Sequence, residues 1–503
     1  MIIFAVIIVV GVLIYLDIRK PKNFPKGPSW LPIIGSALSI KKSRNETGML
    51  VKGVKRIAEH YPDAKDVIGF KIGKDKVVIT HSTEALIEMY TNPDIDGRPY
   101  GPFYETRTWN LRRGVLLTDG EFWQTQRRFI QRHLKEFGYA RKGMQEICEN
   151  EAEFCLNDFR NLITKKGGKS AVVTMPNYFS LYVLNTLWLM MAGIRYNSDH
   201  DEMKLLQHLL FELFTNIDMM GATFSHFPFL IKIAPEASGY KSFLTCHTNI
   251  HKFFSKEVEK HKRNFHPSDE PRNLIDAYLK VLYSGDENGT ADESFSELQL
   301  LALCLDMFMA GSETTNKSVN FMFLHLVRNP QIQQKCREEI DRIIGRNRLP
   351  SLDDRIKMPY CEAVVLESLR FFMKNTFGIP HRALRDTKLC SYHIPKDTMV
   401  LSMFYGIFHD ERIFKDPTSF DPGNFLDENE KLSIPDKFYP FALGKHRCIG
   451  ESLAKSNLFL LCTTIIQNFH LNTPPGHDKP SDVPIEGATP SVQDYQALIT
   501  PRL

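Results

Sequence analysis

The segment from Phe441 to Gly450 carries the residues best suited to chemistry. It reads FALGKHRCIG and runs directly into a helix-period stretch, so Cys448 is predicted to lie at a helix N-terminus. Such a position stabilises negative charge, and we expect the pKa of the Cys448 thiol to be lowered. Gly444 and Gly450 leave room for a flat cofactor and free backbone N–H groups to donate to sulfur. Phe441 is placed to cover a metal–sulfur bond. The segment indicates a thiolate metal ligand, although a cysteine in an ordinary turn has the same pattern.

A second polar group interrupts a largely apolar helical stretch predicted over Leu298–Val327. The motif AGSETT begins at Ala310 and includes Glu313 and Thr314. A threonine that bonds back to the carbonyl one turn earlier bends a helix and opens a slot. Dioxygen and water would fit such a slot, with Thr314 donating and Glu313 relaying protons. The alternative, a solvated helix end, conflicts with the apolar residues on both sides.

Two further motifs are weak by themselves. Glu367 and Arg370 are three residues apart in a helix predicted over Cys361–Met373, so they share a face. Most pairs of this kind are surface salt bridges of little energetic worth. Trp123 and Arg127 fall one helical turn apart, where an indole N–H and a guanidinium can hold one carboxylate.

Long helices must position these residues. Hydrophobic periodicity predicts further helices over Leu205–Phe214, Gln331–Ile344 and Glu451–Asn468. Predicted strands are few and short: Val67–Ile72, Lys76–Thr80 and Thr398–Met403. The hydrophilic stretch from Ser284 to Ser296 is predicted to be an exposed loop. The fold class is therefore mainly α with a small β-sheet region near the N-terminus.

Composition bounds the class of protein. The 503 residues include 35 Phe, 17 Tyr and 4 Trp, which excludes intrinsic disorder. A net charge of +4 gives no indication of nucleic-acid binding. Length alone suggests about three domains, but no linker divides the body, so one large domain is predicted.

The N-terminus predicts a membrane anchor. Residues 1–16 are almost entirely apolar, and four basic residues follow between Arg19 and Lys26 with no acid among them. Basic residues on the C-terminal side place that side in the cytoplasm. The run is slightly short for a span and must include flanking residues; a buried N-terminal core helix is the alternative. We predict a signal anchor over 1–18, a stiff Pro/Gly-rich connector over 19–36 and a catalytic domain over 37–503.

Together and in this order, the four motifs resemble the cytochrome P450 superfamily of haem-thiolate monooxygenases. Within it, the sequence is similar to the animal microsomal branch related to vertebrate family 2. The connector and the segments from Asp416 to Phe425 and from Gly378 to Arg382 add to the resemblance. It implies the cytochrome P450 fold over essentially the whole chain after the anchor, with haem b as cofactor.

The resemblance also implies roles for individual residues. Cys448 would be the iron ligand, and Thr314 and Glu313 would deliver protons for oxygen activation. Glu367 and Arg370 would be a structural pair that supports the cysteine loop. Haem-propionate contacts would come from four side chains: Trp123, Arg127, His381 and, from the motif DGR, Arg98.

This chain departs from the family pattern at two positions. The family usually has arginine two residues before the cysteine, and this chain has His446 there. A neutral imidazole is a weaker propionate partner than a guanidinium. The third partner of Glu367 and Arg370 is usually arginine or histidine, and Asn424 stands there instead.

A protein of this kind takes electrons from a separate NADPH-dependent reductase, and the resemblance allows cytochrome b5 as a second donor. An acidic reductase surface would meet a basic cluster comprising Arg127, Arg128, Arg132, Lys135, Arg141, Lys142, Lys445 and Arg447. The alternative is a solvated helix face.

The resemblance implies an endoplasmic-reticulum membrane protein that oxidises a lipophilic substrate such as an isoprenoid, a steroid or a small aromatic. The pocket would be lined by segments 99–118 and 211–229, by the helix face around Met307 and Ala310 and by Asn375–Gly378. Two other functions stay open: a haem-thiolate isomerase or dehydratase that does not use dioxygen, and a membrane-tethered haem- or lipid-binding protein without turnover.

Overall fold

The computed structural model describes residues 2–284 and 294–502, and helices account for most of them. The predicted loop over residues 284–296 lies largely outside this part of the chain. The α-helices are α1 (Ile2–Ile18), α2 (Ala37–Thr47), α3 (Leu50–Glu59), α4 (Thr83–Thr91), α5 (Pro102–Glu105), α6 (Gly120–Glu136), α7 (Lys142–Lys165), α8 (Ser180–Ala192), α9 (Asp201–Asn216), α10 (Thr223–His226), α11 (Leu230–Ile233), α12 (Tyr240–Arg263), α13 (Leu274–Ser284), α14 (Glu297–Arg328), α15 (Pro330–Ile343), α16 (Pro359–Met373), α17 (Tyr405–Phe408) and α18 (Glu451–Asn468). Short 3-10 helices cover Pro93–Ile95, Thr106–Thr108, Leu352–Lys357 and Pro422–Phe425.

The strands form three small sheets. They are β1 (Val67–Ile72), β2 (Asp75–Thr80), β3 (Ala171–Thr174), β4 (His381–Arg382), β5 (Thr387–Leu389), β6 (Tyr392–Ile394), β7 (Met399–Ser402), β8 (Phe469–Asn472) and β9 (Gln496–Pro501). The largest sheet has the order β1-β2-β7-β4. Its β1–β2 hairpin is antiparallel with Val67 opposite Thr80, and β7 joins parallel to β2 with Met399 opposite Val77. The other sheets are β3-β9-β8 and β5-β6.

The predicted helices and the three predicted strands are confirmed, with boundaries that shift by a few residues. The strands of the two smaller sheets and β4 were not predicted from the sequence. Each of them except β9 has only two to four residues, too few for an alternating pattern to stand out.

Helix α14 lies at the centre of the body, where it packs against α8, α12, α16 and α18. Almost all of its residues from Gln299 to Val327 are buried. A helix that is apolar on every side needs such an environment. One continuous hydrophobic cluster extends from Leu86 to Ile499, so the body is a single domain, as predicted.

The N-terminal helix stands apart from this core. Residues 2–16 of α1 are all exposed. Across the described residues 2–284 and 294–502, no helix combines the length and the apolar character required to cross a membrane. The connector packs on the largest sheet, where the Gly69 N–H donates to the Lys26 carbonyl over 2.8 Å and the rings of Phe24 and Trp30 meet at 5.6 Å.

Candidate functional site

The loop before α18 presents Cys448 as predicted. The Cys448 N–H donates to the carbonyl of Phe441 over 3.0 Å, which folds the loop back on itself. The Gly450 N–H donates to the Cys448 Sγ over 3.3 Å. Backbone donors of this kind fix the orientation of a metal-binding sulfur and tune its electron density. Phe441 is half-buried, with the Lys455 ammonium 5.6 Å from its ring centre.

The prediction that the pKa of the Cys448 thiol is lowered is wrong, because the protein's own groups raise it. Desolvation by the surrounding protein raises the pKa of Cys448, although the residue is exposed, and the nearby Glu451 carboxylate adds to the rise. The Gly450 N–H, Arg127 and Arg447 act in the opposite direction but do not outweigh desolvation. The position at a helix N-terminus is therefore not sufficient to ionise this thiol.

The two glycines of the cysteine loop differ in backbone conformation and in the space around them. Gly444 has φ +70°, and a Cβ atom there would lie 2.2 Å from the carbonyl oxygen of Tyr90. Contact with the protein backbone, rather than space for a cofactor, therefore requires glycine at this position. Gly450 has an ordinary φ of −85°, and a Cβ atom would lie 3.7 Å from the Cys448 Sγ.

Four of the predicted cofactor-binding side chains form one buried cluster. The ring centres of Trp123 and His446 lie 4.0 Å apart, with an angle of 32° between the ring planes. The ring centres of His381 and His446 lie 5.4 Å apart. Arg98 donates through Nη1 to the Pro380 carbonyl over 3.0 Å. The cluster joins residues from α6, β4, the loop after Asp96 and the cysteine loop.

The cluster contains buried donors that have no acceptor. Among the described residues, Trp123 Nε1 and Arg98 Nε make no hydrogen bond, and both residues are only 3% exposed. Burial lowers the pKa of Arg98 to about 10, and the charges of Tyr90, Asp96 and Asp119 oppose this shift without cancelling it. An orphaned guanidinium N–H beside an orphaned indole N–H indicates an acidic ligand at this position.

The two histidines are neutral and already bonded. The Nδ1 of His381 donates to the Ile95 carbonyl over 2.7 Å, and the Nε2 of His446 donates to the Asp96 carbonyl over 3.1 Å. Burial is the first cause that lowers the pKa of each, to about 3 for His381, and the charge of Arg98 is the second. Neutral imidazoles are weaker partners for an acid than Arg98.

Arg127 joins the cluster to the cysteine loop. Its Nη2 donates to the carbonyl of Arg447 over 2.5 Å, and its guanidinium carbon lies 5.4 Å from the ring centre of Trp123. Burial lowers the pKa of Arg127, while the adjacent Cys448 opposes that shift. The cation is therefore placed between the cluster and the sulfur.

On α14, the Thr314 hydroxyl donates to the Ala310 carbonyl over 2.7 Å, which is the predicted back-bond. Glu313 is buried, and its Oε2 makes no hydrogen bond within the described chain. Burial raises the pKa of Glu313, and the charge of Lys317 opposes this rise. A side chain at position 311 would clash with α8, because a Cβ atom there would lie 2.3 Å from Leu187 Cδ2. Close packing therefore explains Gly311.

Glu367 and Arg370 are completely buried and form a bidentate ion pair with two N–O distances of 2.7 Å. Arg370 also donates to the carbonyls of Phe408, Pro417 and Ser419. Asn424 reaches the Glu367 Oε1 over 3.4 Å. This arrangement holds residues 408–424, the chain that leads to the cysteine loop.

An open cavity of about 730 Å³ lies beside Cys448, between the cysteine loop and the start of α7. Its lining includes five basic side chains, Arg141, Lys142, Arg355, Arg447 and Lys455, and one acid, Glu451. Seven of the eight predicted basic-cluster residues are exposed, and Arg127 is the half-buried one.

Two residues of the site and one buried acid near it on α14 were missed from sequence alone. Tyr90 touches His381 at 5.3 Å and supplies the carbonyl against which Gly444 packs. Lys317 is the counter-ion of Glu313, and its i, i+4 spacing was a usable signal. Asp306, an acid inside an apolar helical stretch, binds a buried arginine.

Comparisons with known proteins agree with this geometry. The family model "Cytochrome P450" matches residues 25–492. A probable cytochrome P450 303a1 of Drosophila melanogaster is 50% identical over 492 residues, covering 97% of both chains. Farnesoate epoxidase of Bombyx mori is 35% identical over 491 residues, covering 97% of this chain and 96% of the relative. Cytochrome P450 2B19 of Mus musculus is 32% identical over 493 residues, with the same coverage.

Proposed function

The chain belongs to the cytochrome P450 family of haem-containing monooxygenases, and from that premise we propose that it oxidises an isoprenoid or a similarly lipophilic substrate. The observation that carries this proposal is the joint presence, in one domain, of the cysteine loop, the cluster of orphaned donors and the Glu313–Thr314 pair on the central helix α14. The similarity to a farnesoate epoxidase favours an isoprenoid among lipophilic substrates.

The residues present fit the family cofactor, haem b. Cys448 would hold the iron, while Trp123 Nε1 and Arg98 Nε would donate to the acidic propionate groups, with Arg127 beside them. His381 and His446 would pack against this end of the cofactor as neutral rings. When bound, the haem supplies a redox-active iron that activates dioxygen, with electrons from a redox-partner reductase.

Thr314 and Glu313 would handle the protons that this chemistry consumes. Insertion of one oxygen atom from O2 into a substrate releases the second atom as water, which requires two electrons and two protons. Thr314 would hold a proton-donating hydroxyl near the reacting oxygen, and Glu313 would pass protons to it. Glu313 suits this task because its Oε2 is buried and has no fixed hydrogen-bond partner among the described residues.

We further propose an NADPH-dependent reductase as the electron donor, with cytochrome b5 as an auxiliary one. The basic cavity beside Cys448 supports this, since electrons must arrive near the sulfur and an acidic partner would be attracted there.

We propose the endoplasmic-reticulum membrane as the location, with residues 1–18 as a single-pass anchor, 19–36 as connector and 37–503 as a cytoplasmic catalytic domain. The exposed apolar surface of α1, followed by basic residues, supports this.

The decisive experiment is carbon monoxide binding to the reduced holoprotein. A strongly red-shifted Soret band is expected, and a normal haem band would contradict Cys448 as the ligand. Purified reductase, NADPH, dioxygen and farnesoate are then added, and an oxygenated product is sought. Conversion of substrate without dioxygen would indicate an isomerase or dehydratase, and a thiolate band without any turnover across a lipophilic panel would indicate a binding protein.

A further inference from the structure

A buried polar cluster lies one to two turns before Glu313 and has no role in the chemistry described above. Arg107, from the 3-10 helix Thr106–Thr108, is only 2% exposed. Its Nη2 pairs with the Oδ1 of Asp306 on α14 and lies 3.9 Å from Met309 Sδ. The Oδ2 of Asp306 accepts the N–H groups of Val115 and Leu116 over 2.6 and 2.9 Å.

The second amino group of Arg107 is free. Its Nη1 is buried and has no hydrogen-bond partner in the described chain. Asp306 accepts from Nη2 and from two backbone amides, but it makes no hydrogen bond to Nη1. A buried guanidinium N–H without an acceptor is costly unless a ligand supplies one.

Two imidazoles of α12 complete the cluster. His251 donates through Nε2 to the carbonyl of Arg107 over 2.7 Å, and His247 donates through Nδ1 to the carbonyl of Phe243 over 2.8 Å. The remaining nitrogens, His251 Nδ1 and His247 Nε2, are buried and also have no partner within the described residues. Burial lowers the pKa of both, and the charge of Arg107 contributes, so these nitrogens are bare acceptors.

The walls around these groups are aromatic. The Trp109 ring lies 4.1 Å from His251, and Phe243 contacts His247 at 4.2 Å and Phe103 at 5.3 Å. Aromatic side chains around one free cationic donor and two bare acceptors match a lipophilic molecule that ends in a carboxyl group. A carboxylate oxygen accepts from Arg107, and binding takes up one proton from solvent, which the carboxyl group shares with an imidazole nitrogen. An ester carbonyl carries no charge, so it is a weaker acceptor for Arg107 than a carboxylate, and it has no proton to give to an imidazole.

Building on the proposed function, we propose that Arg107, His247 and His251 bind the carboxyl end of an elongated lipophilic acid, and thereby set which carbon is oxidised. Asp306, Ala310 and Glu313 share a face of α14 at i, i+4 and i+7 spacing. At 1.5 Å per residue, Thr314 lies roughly 12 Å along the axis from Asp306. The acid is therefore held at one end and oxidised at a carbon about that far from its carboxyl group.

The test measures dissociation constants of the full-length holoprotein for farnesoate, its methyl ester and the corresponding alcohol. Farnesoate is expected to bind roughly ten- to a hundredfold more tightly than the ester, as a hydrogen bond to a charged group implies. In Arg107→Lys, the new ammonium group can still pair with Asp306, but the free Nη1 is absent. The preference for the acid over the ester should therefore be lost. Arg195→Lys is the matched control, because Arg195 pairs with the buried Glu151 over 2.6 Å, and it should keep the preference.

His247→Phe provides a second variant that does not depend on Arg107. His247 donates only within its own helix, so the variant should fold and lose at least about threefold of the preference for the acid. Equal binding of acid and ester by the wild type, or no binding of any of the three, would overturn the inference. A preference for the acid that survives in Arg107→Lys would also overturn the inference. If Arg107→Lys fails to fold, the same outcome in His247→Phe would overturn it. The carbon monoxide band separates this failure from a failure of the proposed function, since it reports thiolate ligation independently of the ligand.

Discussion

Lys317 Nζ lies 3.8 Å from Glu313 Oε2, one turn along α14, and both side chains are almost completely buried. Lys317 also donates to the carbonyl and the hydroxyl of Thr489 over 3.2 and 3.1 Å. The carboxylate that we propose as proton relay therefore has a buried counter-ion on its own helix.

Burial lowers the pKa of Lys317 to about 8, and the charge of Glu313 opposes that shift. As the pH rises through about 8, Lys317 loses its proton and Glu313 loses its counter-ion, so the Glu313 carboxyl holds its own proton more tightly. We expect wild-type turnover to fall across this range. Lys317→Met lacks the charge at every pH, so its turnover should already be lower at pH 7 and show no step near pH 8.

The measurement is the rate of product formation between pH 6 and 9 with saturating reductase. Lys335→Met, at an exposed lysine of α15, is the control and should reproduce the wild-type profile. A step near pH 8 that persists in Lys317→Met would rule out Lys317 as its source.

Gly444→Ala should destabilise the cysteine loop. The φ of +70° is unfavourable for alanine, and the new Cβ would meet the Tyr90 carbonyl oxygen at 2.2 Å. Strain of this kind costs about 1–3 kcal/mol even before the clash is counted. We expect weaker haem retention and a lower unfolding temperature, measured by haem absorbance during heating.

Gly450→Ala is the matched substitution for Gly444→Ala. Its φ is ordinary and the nearest foreign atom, Cys448 Sγ, is at 3.7 Å. It should retain haem and lose less than about 1 kcal/mol of stability, the usual cost of a change without strain or a clash. Equal losses in both variants would show that backbone strain at Gly444 is not the cause.

The sequence predicted the elements that carry the site better than the contacts within it. Cys448, Thr314 and Glu367 lie on the predicted helices or at their ends, because long amphipathic or apolar stretches have a clear period. Whether Gly444 serves a cofactor or the Tyr90 carbonyl could not be decided, since these residues are more than 350 positions apart. The direction of the Cys448 pKa was predicted wrongly, because desolvation depends on tertiary packing that no local motif encodes.

Removing either partner of the Glu367–Arg370 pair should unfold part of the protein. The two side chains are completely buried, and loss of one leaves an uncompensated charge at a cost of about 3–5 kcal/mol. We expect Glu367→Gln and Arg370→Met to lower the free energy of unfolding by this amount and to lose haem. Denaturant titration provides the measurement. Arg132→Gln, in the exposed Arg132–Glu136 pair, should change stability by no more than about 1 kcal/mol.

His446→Arg should preserve haem binding or strengthen it. His446 is a neutral ring whose centre lies 4.0 Å from that of Trp123, and the Asp96 carboxylate lies 3.4 Å from its Nε2. A guanidinium at this position can pair with Asp96 and add a charged donor for an acidic propionate. Transfer of haem to an apo-myoglobin acceptor measures retention, and a clearly faster loss from the variant would contradict the expectation.

Turnover should depend on ionic strength if an acidic reductase docks at the basic cavity beside Cys448. Arg141 and Lys142 line this cavity and are exposed. Salt screens attraction between exposed charges, with a Debye length near 10 Å at 0.1 M. We expect the apparent KM for reductase to rise as salt increases and to rise at least severalfold in Arg141→Glu/Lys142→Glu at low salt, with the carbon monoxide band unchanged.

Lys241→Glu, at an exposed lysine of α12 that does not line the cavity, should leave the KM unchanged. An effect as large in Lys241→Glu would indicate a general dependence on net charge instead of docking at the cavity.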